Sequence, residues 1–269
     1  MYLEHWQLNR KPFENSPDPD FLFASKKHEE ALLRMLYLVR EQKGAGVITG
    51  EVGAGKTLLS RVLLQELAED EKYHTAIILN PKLSAEELTK EIIYQLGEEP
   101  PPGAGKSALL RLLNDILYKN KKWNKTTVII IDEAQAIEDK DSFEELRLLL
   151  NFQLNDGFLL TLILLGQPEL RDKIRELPQL KQRLSLNYHL NGLEIDETEK
   201  YISYRMNVAG AGRNHFLPEA ISLVHTYSKG IPRRINNLCD LALLTGFGSG
   251  AAAVNQKIIH AVARDLDVR

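Results

Sequence analysis

The sequence predicts an α/β protein: a parallel five-stranded sheet between helices, followed by a small domain made only of helices. Three observations carry this. As far as about residue 190, short apolar runs alternate with stretches of helical spacing, and each run is apolar at consecutive positions, as in strands buried on both faces. The first run enters a glycine-rich turn, Gly50-Glu51-Val52-Gly53-Ala54-Gly55-Lys56-Thr57, and a helical pattern leaves it. From about Asp196 the strand signals stop. The expected domains are residues 1–192, with 1–25 as an N-terminal collar, and a C-terminal helical lid of 193–269.

In chain order, the first 25 residues are irregular and aromatic. Pro12, Pro17 and Pro19 fall within eight residues (Pro12-Phe13-Glu14-Asn15-Ser16-Pro17-Asp18-Pro19) and forbid a long helix. Trp6, Phe13, Phe21, Leu22 and Phe23 are too apolar to be left in water, so the collar is expected to pack on the domain. Ser25 or a neighbour caps a helix near 27–42, with Ala31, Leu32, Met35, Leu36 and Val39 on one face. Gly46-Val47-Ile48-Thr49 is the first strand, and a helix follows the glycine turn to about Glu71. A second strand spans 75–80, ending at Asn80, and Ser84-Ala85-Glu86-Glu87 reads as a capping box opening a helix to about Leu96.

Pro100-Pro101-Pro102-Gly103-Ala104-Gly105-Lys106-Ser107 imitates the glycine turn, but Pro100 stands where the first glycine is needed and no apolar strand precedes it. It reads as a flexible linker before a helix near 107–121. Residues 126–131 are the strongest strand, ending in Asp132-Glu133-Ala134-Gln135, and a helix follows near 141–153. Residues 159–165 form another buried strand, ending at Gly166-Gln167-Pro168. Short helical pieces cover 169–185, and 186–190 is a fifth, alternating strand. Helices near 196–208, 217–228, 233–246 and 254–266 make the lid.

At 269 residues the chain can bury a large core. Its net charge is −3, so no global basic field marks it as a nucleic-acid binder. The single cysteine, Cys239, excludes an internal disulfide framework and reads as a small buried hydrophobe. No apolar run approaches the ~20 residues needed to span a bilayer, and the N-terminus lacks the pattern of a signal peptide. The expectation is a cytoplasmic protein.

The chemistry follows from the glycine turn, which satisfies G-x-x-x-x-G-K-[ST] at every required position. Glycines allow the tight turn, and the helix N-terminus behind it offers backbone N–H groups and partial positive charge to phosphate oxygens. Gly50, Glu51, Val52, Gly53, Ala54, Gly55, Lys56, Thr57 and Leu58 are therefore the expected nucleotide-binding residues, with Lys56 reaching the β- and γ-phosphates. Thr57 and Asp132 are the expected Mg²⁺ holders, and Glu133 the group that polarises the attacking water. ATP and Mg²⁺ are the expected cofactors. Gln167, at the end of an adjoining strand, is expected to bond the γ-phosphate or the lytic water, and Asn80 to hold Glu133. Arg183 precedes the fifth strand, where an edge between subunits is expected, and an arginine there can stabilise a neighbour's transition state. Arg171 and Arg175 are weaker candidates for that role. Arg233 follows Pro232 at the start of a lid helix and is expected to reach the phosphates.

Together, Lys11-Pro12-Phe13, Ser16-Pro17-Asp18-Pro19, His28, the glycine loop, Ile131-Asp132-Glu133-Ala134-Gln135, Gly166-Gln167-Pro168-Glu169-Leu170, Gln182-Arg183 and Gly230-Ile231-Pro232-Arg233-Arg234-Ile235-Asn236 resemble the AAA+ ATPases of the ExeA/GspA type of general secretion. The resemblance covers nearly the whole chain. It implies a P-loop AAA+ core with a helical lid, Mg-ATP hydrolysis and ring or filament assembly, hexamer-like, with sensors at Gln167 and Arg233 and an inter-subunit finger at Arg183. Related chains serve secretin assembly, type IV pili and exopolysaccharide export; similar cores of the TnsC/TniB kind act on DNA in transposition. Secretion members commonly continue into a membrane span and a periplasmic peptidoglycan-binding domain. This sequence stops at Arg269, so an anchor is expected from a partner at the inner membrane, or from a longer protein of which this is the cytosolic part.

The leading functional expectation is an ATP-driven assembly switch acting through a protein partner of an envelope machine. The alternative is an ATPase that polymerises on double-stranded DNA, for which Lys119, Lys121, Lys122 and Lys125 around Trp123 are the candidate contacts. A nucleotide-gated scaffold with little turnover is disfavoured by the Asp132-Glu133 pair, and a small-molecule kinase by Glu133, Gln167 and Arg233, which suit water attack.

Overall fold

The computed structural model describes residues 1–15, 21, 23–154 and 157–267. The Ser16-Pro17-Asp18-Pro19-Asp20 part of the collar, and Leu22, lie outside them. The chain divides into two compact units: His28–Gly50 with Lys56–Leu190, and Met1–Lys27 with Glu51–Gly55 and Asn191–Arg269.

The larger unit opens with α1 (Lys26–Arg40). It continues through β1 (Ala45–Gly50), α2 (Lys56–Ala68), β2 (Tyr73–Ile78), α3 (Ala85–Gln95), α4 (Lys106–Lys122) and β3 (Thr126–Ile131). Then come α5 (Lys140–Leu149), the short β4 (Gln153–Leu154) and β5 (Gly157–Phe158), β6 (Leu160–Gly166), α6 (Glu169–Arg175), α7 (Pro178–Lys181) and β7 (Leu184–Leu190). Five strands form one parallel sheet in the order β2-β3-β6-β1-β7. β1 and β6 are buried at every position and β3 at every position after its first, so these three make the middle of the sheet. β7 alternates in burial, as an edge strand with one wetted face does.

Register matters for function. Ile78 pairs with Ile131, Ile131 with Leu164, and Thr49 with Gly166, so the carboxyl ends of four strands finish on one line. Ligands of open α/β sheets bind outside that edge. The Ser84 cap behaves as expected: its hydroxyl accepts from the Glu87 N–H while the Glu87 carboxylate accepts from the Ser84 N–H.

Two expectations about elements are corrected here. The helix expected over 141–153 stops at Leu149, because Gln153 and Leu154 turn into an antiparallel pair with Gly157 and Phe158. β2 ends at Ile78 rather than at Asn80, which leaves Asn80 exposed two residues beyond the strand.

The smaller unit holds α8 (Ile195–Val208), α9 (Pro218–Ser228), α10 (Pro232–Gly248) and α11 (Gln256–Asp265). Ile202, Met206, Val224, Ile235, Leu243 and Ile259 are among the residues of its core, and Cys239 is fully buried with them, its thiol pKa raised by that burial. The collar belongs to this unit rather than to the sheet unit, which corrects the expected 1–192 grouping. Tyr2, Trp6, Leu8, Phe13 and Phe21 are buried among the helices. The Trp6 indole N–H donates to the Leu243 carbonyl at 2.9 Å. Arg205, 6% exposed, donates to the carbonyls of Pro12 at 2.6 Å and Glu14 at 3.0 Å. Among the described residues no helix is long and apolar enough to cross a membrane.

Candidate nucleotide-hydrolysis site

β1 delivers the chain into the glycine loop at Gly50, and α2 begins at Lys56. Gly53 (φ 82°) and Gly55 (φ 101°) occupy the left-handed region that glycine enters without steric cost. Lys56 is 4% exposed, and its ammonium donates to the Gly50 carbonyl at 2.8 Å. Its charge is thus folded over the mouth of the loop.

One residue further on, the Thr57 hydroxyl donates to Asp132 Oδ2 at 2.7 Å. Asp132 is 2% exposed at the end of β3; its other oxygen accepts the Glu133 N–H at 2.9 Å, and its own N–H donates to the Ile78 carbonyl at 2.9 Å. A hydroxyl on α2 and a carboxylate on β3 are therefore joined directly, from positions 75 residues apart.

Glu133 is half-buried and lies in the left-handed region (φ 51°, ψ 35°), a conformation that non-glycine residues adopt at a cost and that clusters at functional sites. The turn continues as a 3₁₀ segment, Ala134–Ala136. It brings Gln135 back over Glu133: Gln135 Nε2 donates to Glu133 Oε2 at 2.5 Å, and Gln167 Nε2 reaches the same oxygen at 3.2 Å. Gln135 Oε1 accepts the Gln167 N–H at 2.9 Å. The Lys173 ammonium donates to the carbonyls of Gln135 and Ile137, each at 2.6 Å.

Lys56, Thr57, Asp132, Glu133 and Gln167 thus share the carboxyl edge of the sheet unit. Asn80 does not take the place expected for it: it is exposed, and the hydrogen bonds to Glu133 come from Gln135 and Gln167 instead. Sequence reasoning missed Gln135 and Lys173 as site residues. Gln135 stands in the acidic motif, but its contact depends on the left-handed turn at Glu133, which no periodicity reveals; Lys173 carries no local signal at all.

Arg183 lies ahead of β7, at the opposite edge of the sheet from the loop. β7 has seven residues, so at roughly 3.3 Å per residue Arg183 is about 20 Å from its own strand's carboxyl end. Its guanidinium donates to the Leu150 carbonyl at 3.0 Å and to Asn151 Oδ1 at 2.6 Å. Arg175 is engaged by Asp172 at 2.8 Å in an exposed pair, and Arg171 is exposed on the same helix. In the helical unit, Arg233 is exposed in the first turn of α10, behind Pro232. Its N–H donates to the Gly53 carbonyl at 3.3 Å, and a Cβ on Gly53 would run into its side chain.

A strand, a glycine loop and a lysine-threonine helix start, with a buried strand leading into Asp-Glu one strand away in a β2-β3-β6-β1-β7 sheet, define a P-loop nucleoside triphosphatase. Residues 39–174 match the family of the AAA domain. The chain belongs to that family and is an AAA+ ATPase. It is 38% identical over 262 residues to general secretion pathway protein A of Aeromonas hydrophila, covering 97% of this chain and 47% of that protein. The chain therefore spans about half of that relative's length. The fold is that of the ORC2 protein of Aeropyrum pernix (TM-score 0.67, 19% identity, covering 96% of this chain and 72% of that one). It is equally that of Drosophila ORC bound to DNA (TM-score 0.70, 17% identity, covering 98% and 66%).

Proposed function

We propose that the chain binds Mg-ATP at Gly50–Leu58 and hydrolyses it, and that nucleotide-dependent self-assembly lets it drive or regulate the assembly of a bacterial envelope machine. The observation that carries the hydrolytic reading is the 2.7 Å contact between Thr57 and Asp132, with Glu133 next in the chain. Two hard oxygen donors side by side, one buried and anionic, suit Mg²⁺ and its shell of waters. When bound, the ion would neutralise charge on the phosphate oxygens.

The chain's own residues would do the rest. Lys56 releases the Gly50 carbonyl and turns its ammonium to the phosphates. Glu133 accepts a hydrogen bond from the attacking water and aims it at the γ-phosphorus, Gln167 donates to the γ-phosphate or to that water, and Arg233 is the sensor of the helical unit. Arg183, about a strand's length from its own loop, acts on a neighbouring copy in a ring or filament. The secretion name of the relative supports the envelope setting, with the chain on the cytoplasmic face, held to the inner membrane through a protein partner.

A second reading is an ATPase that polymerises on double-stranded DNA. It is favoured by Trp123, which caps α4 at 60% exposure with the Lys119 ammonium 5.1 Å from its ring centroid, and by Lys121, Lys122 and Lys125 beside it. Lys119 is also paired with Glu98 at 3.2 Å and the net charge is −3, so the envelope reading stands first.

The deciding experiment is steady-state ATPase activity against protein concentration, with and without double-stranded DNA, at low and moderate salt. Specific activity that rises with concentration alone supports the first reading. A further rise with DNA that weakens steeply with salt supports the second. Glu133→Gln run alongside is expected to bind ATP and lose hydrolysis; retained turnover would overturn the role given to Glu133.

A further inference from the structure

We propose that Gln135 is a positioning residue that couples Gln167 to the Glu133 carboxylate, so that the end of β6 and the end of β3 act as one unit in hydrolysis. This rests on the hydrolytic role given to Glu133 above. The backbone N–H of Gln167 can only donate, so the Gln135 amide must turn its oxygen to it, at 2.9 Å. That leaves the Gln135 NH₂ facing Glu133 Oε2 at 2.5 Å. A single amide is thereby held at both ends, by the main chain after β6 and by the acid after β3. Gln167 Nε2 adds a second donor to the same oxygen at 3.2 Å. Two donors on Oε2 fix the rotation of the carboxylate and leave Oε1 as the oxygen for water.

Three further features keep Gln135 in this place. The left-handed turn at Glu133 folds residue 135 back towards it. Lys173 staples the turn through the carbonyls of Gln135 and Ile137. Gly166 leaves room for it, since a Cβ there would stand 2.9 Å from Gln135 Oε1, closer than a methyl group tolerates, and 2.7 Å from Leu170 Cδ2. A phosphate oxygen that draws the Gln167 side chain away would remove one of the two donors on Glu133. Gln135, fixed on the Gln167 main chain, would pass any shift of that strand end to the carboxylate.

The test uses the full chain and two variants. Gln135→Leu is close in size and lacks both polar groups; Gln135→Glu keeps an acceptor for the Gln167 N–H and replaces the donor to Glu133 with an oxygen. kcat is measured with ATP, and Kd with a fluorescent non-hydrolysable ATP analogue. Both variants are expected to lose kcat tenfold or more with Kd within about threefold, a split that a general loss of structure would not give. Gln135→Leu combined with Gln167→Leu is expected to cost no more than the worse single change, because either change already removes one of the two donors that together fix the Glu133 carboxylate. If Gln135→Leu fails to fold, Gln135→Glu, which exchanges only NH₂ for O, decides. Unchanged kcat in the folded variants, or effects that multiply, would overturn the coupling. With Glu133→Gln inactive, that result removes the coupling alone; with Glu133→Gln active, the underlying role of Glu133 falls as well.

Discussion

At the scale of single residues, similar glycines separate sharply. Gly53 (φ 82°) and Gly103 (φ 71°) both sit in the left-handed region, in loops whose sequences look alike. A side chain at either costs about 1–2 kcal/mol of backbone strain. Only at Gly53 does an added Cβ also run into another side chain, that of Arg233; at Gly103 it meets nothing within 4 Å. Gly53→Ala is therefore expected to weaken ATP binding tenfold or more in a fluorescent-nucleotide titration, whereas Gly103→Ala leaves affinity unchanged and lowers stability by about 1 kcal/mol. His215 gives a second residue-scale expectation. It is 5% exposed, packed edge-on to Trp6 at 5.1 Å, and its pKa is lowered first by burial and then by Arg213. With its folded pKa below the unfolded value, the unfolded chain binds the extra proton first, so stability falls as pH drops through about 6.5 and below. His215→Phe is expected to flatten that fall in thermal melts between pH 7.5 and 5.

At the scale of elements, the collar depends on one buried cation. Arg205 on α8 donates to the carbonyls of Pro12 and Glu14 and to the Tyr201 hydroxyl at 2.8 Å, and its guanidinium lies 4.8 Å from the Phe21 ring centroid. Arg205→Met keeps the apolar stem and orphans two carbonyls, so a loss of about 3 kcal/mol is expected in urea unfolding, with faster proteolysis within the first 15 residues. Sequence reading reached the elements well and this attachment poorly, for one physical reason. Apolar periodicity and local caps decide where α3, β3 or α11 run, and those signals lie within a few residues of each other. Where a segment without regular structure packs is decided by partners more than 190 residues away, as with Pro12 and Arg205. The candidate site was legible because Lys56 and Thr57 open the helix behind the glycine loop and Asp132 and Glu133 follow the end of β3, places that the pattern marks. β2 ends two residues before Asn80, earlier than its composition suggests, and Gln135 was missed because a single left-handed residue redirects it.

At the scale of the whole molecule, the proposed site of hydrolysis and Arg183 lie at opposite ends of the strands; on the proposed reading, self-assembly is then a condition of full activity. Arg183 sits between α7 and the edge strand β7, half-buried, with its guanidinium held by Leu150 and Asn151 of its own chain. Those neutral partners orient the group without cancelling its charge, so it can be offered to an anionic centre on another copy. Arg183→Ala alone is then expected to bind ATP normally and lose turnover by 10³-fold or more, the scale of a missing arginine finger. Lys56→Ala is expected to bind no nucleotide yet still present its own arginine. Mixing the two inactive variants should restore activity at interfaces where a Lys56→Ala copy faces a loaded Arg183→Ala copy, with a bell-shaped dependence on their ratio. Mixtures that stay inactive while light scattering shows normal co-assembly would remove Arg183 from the finger role and leave its bonds to Leu150 and Asn151 as a purely structural tie of the β7 edge.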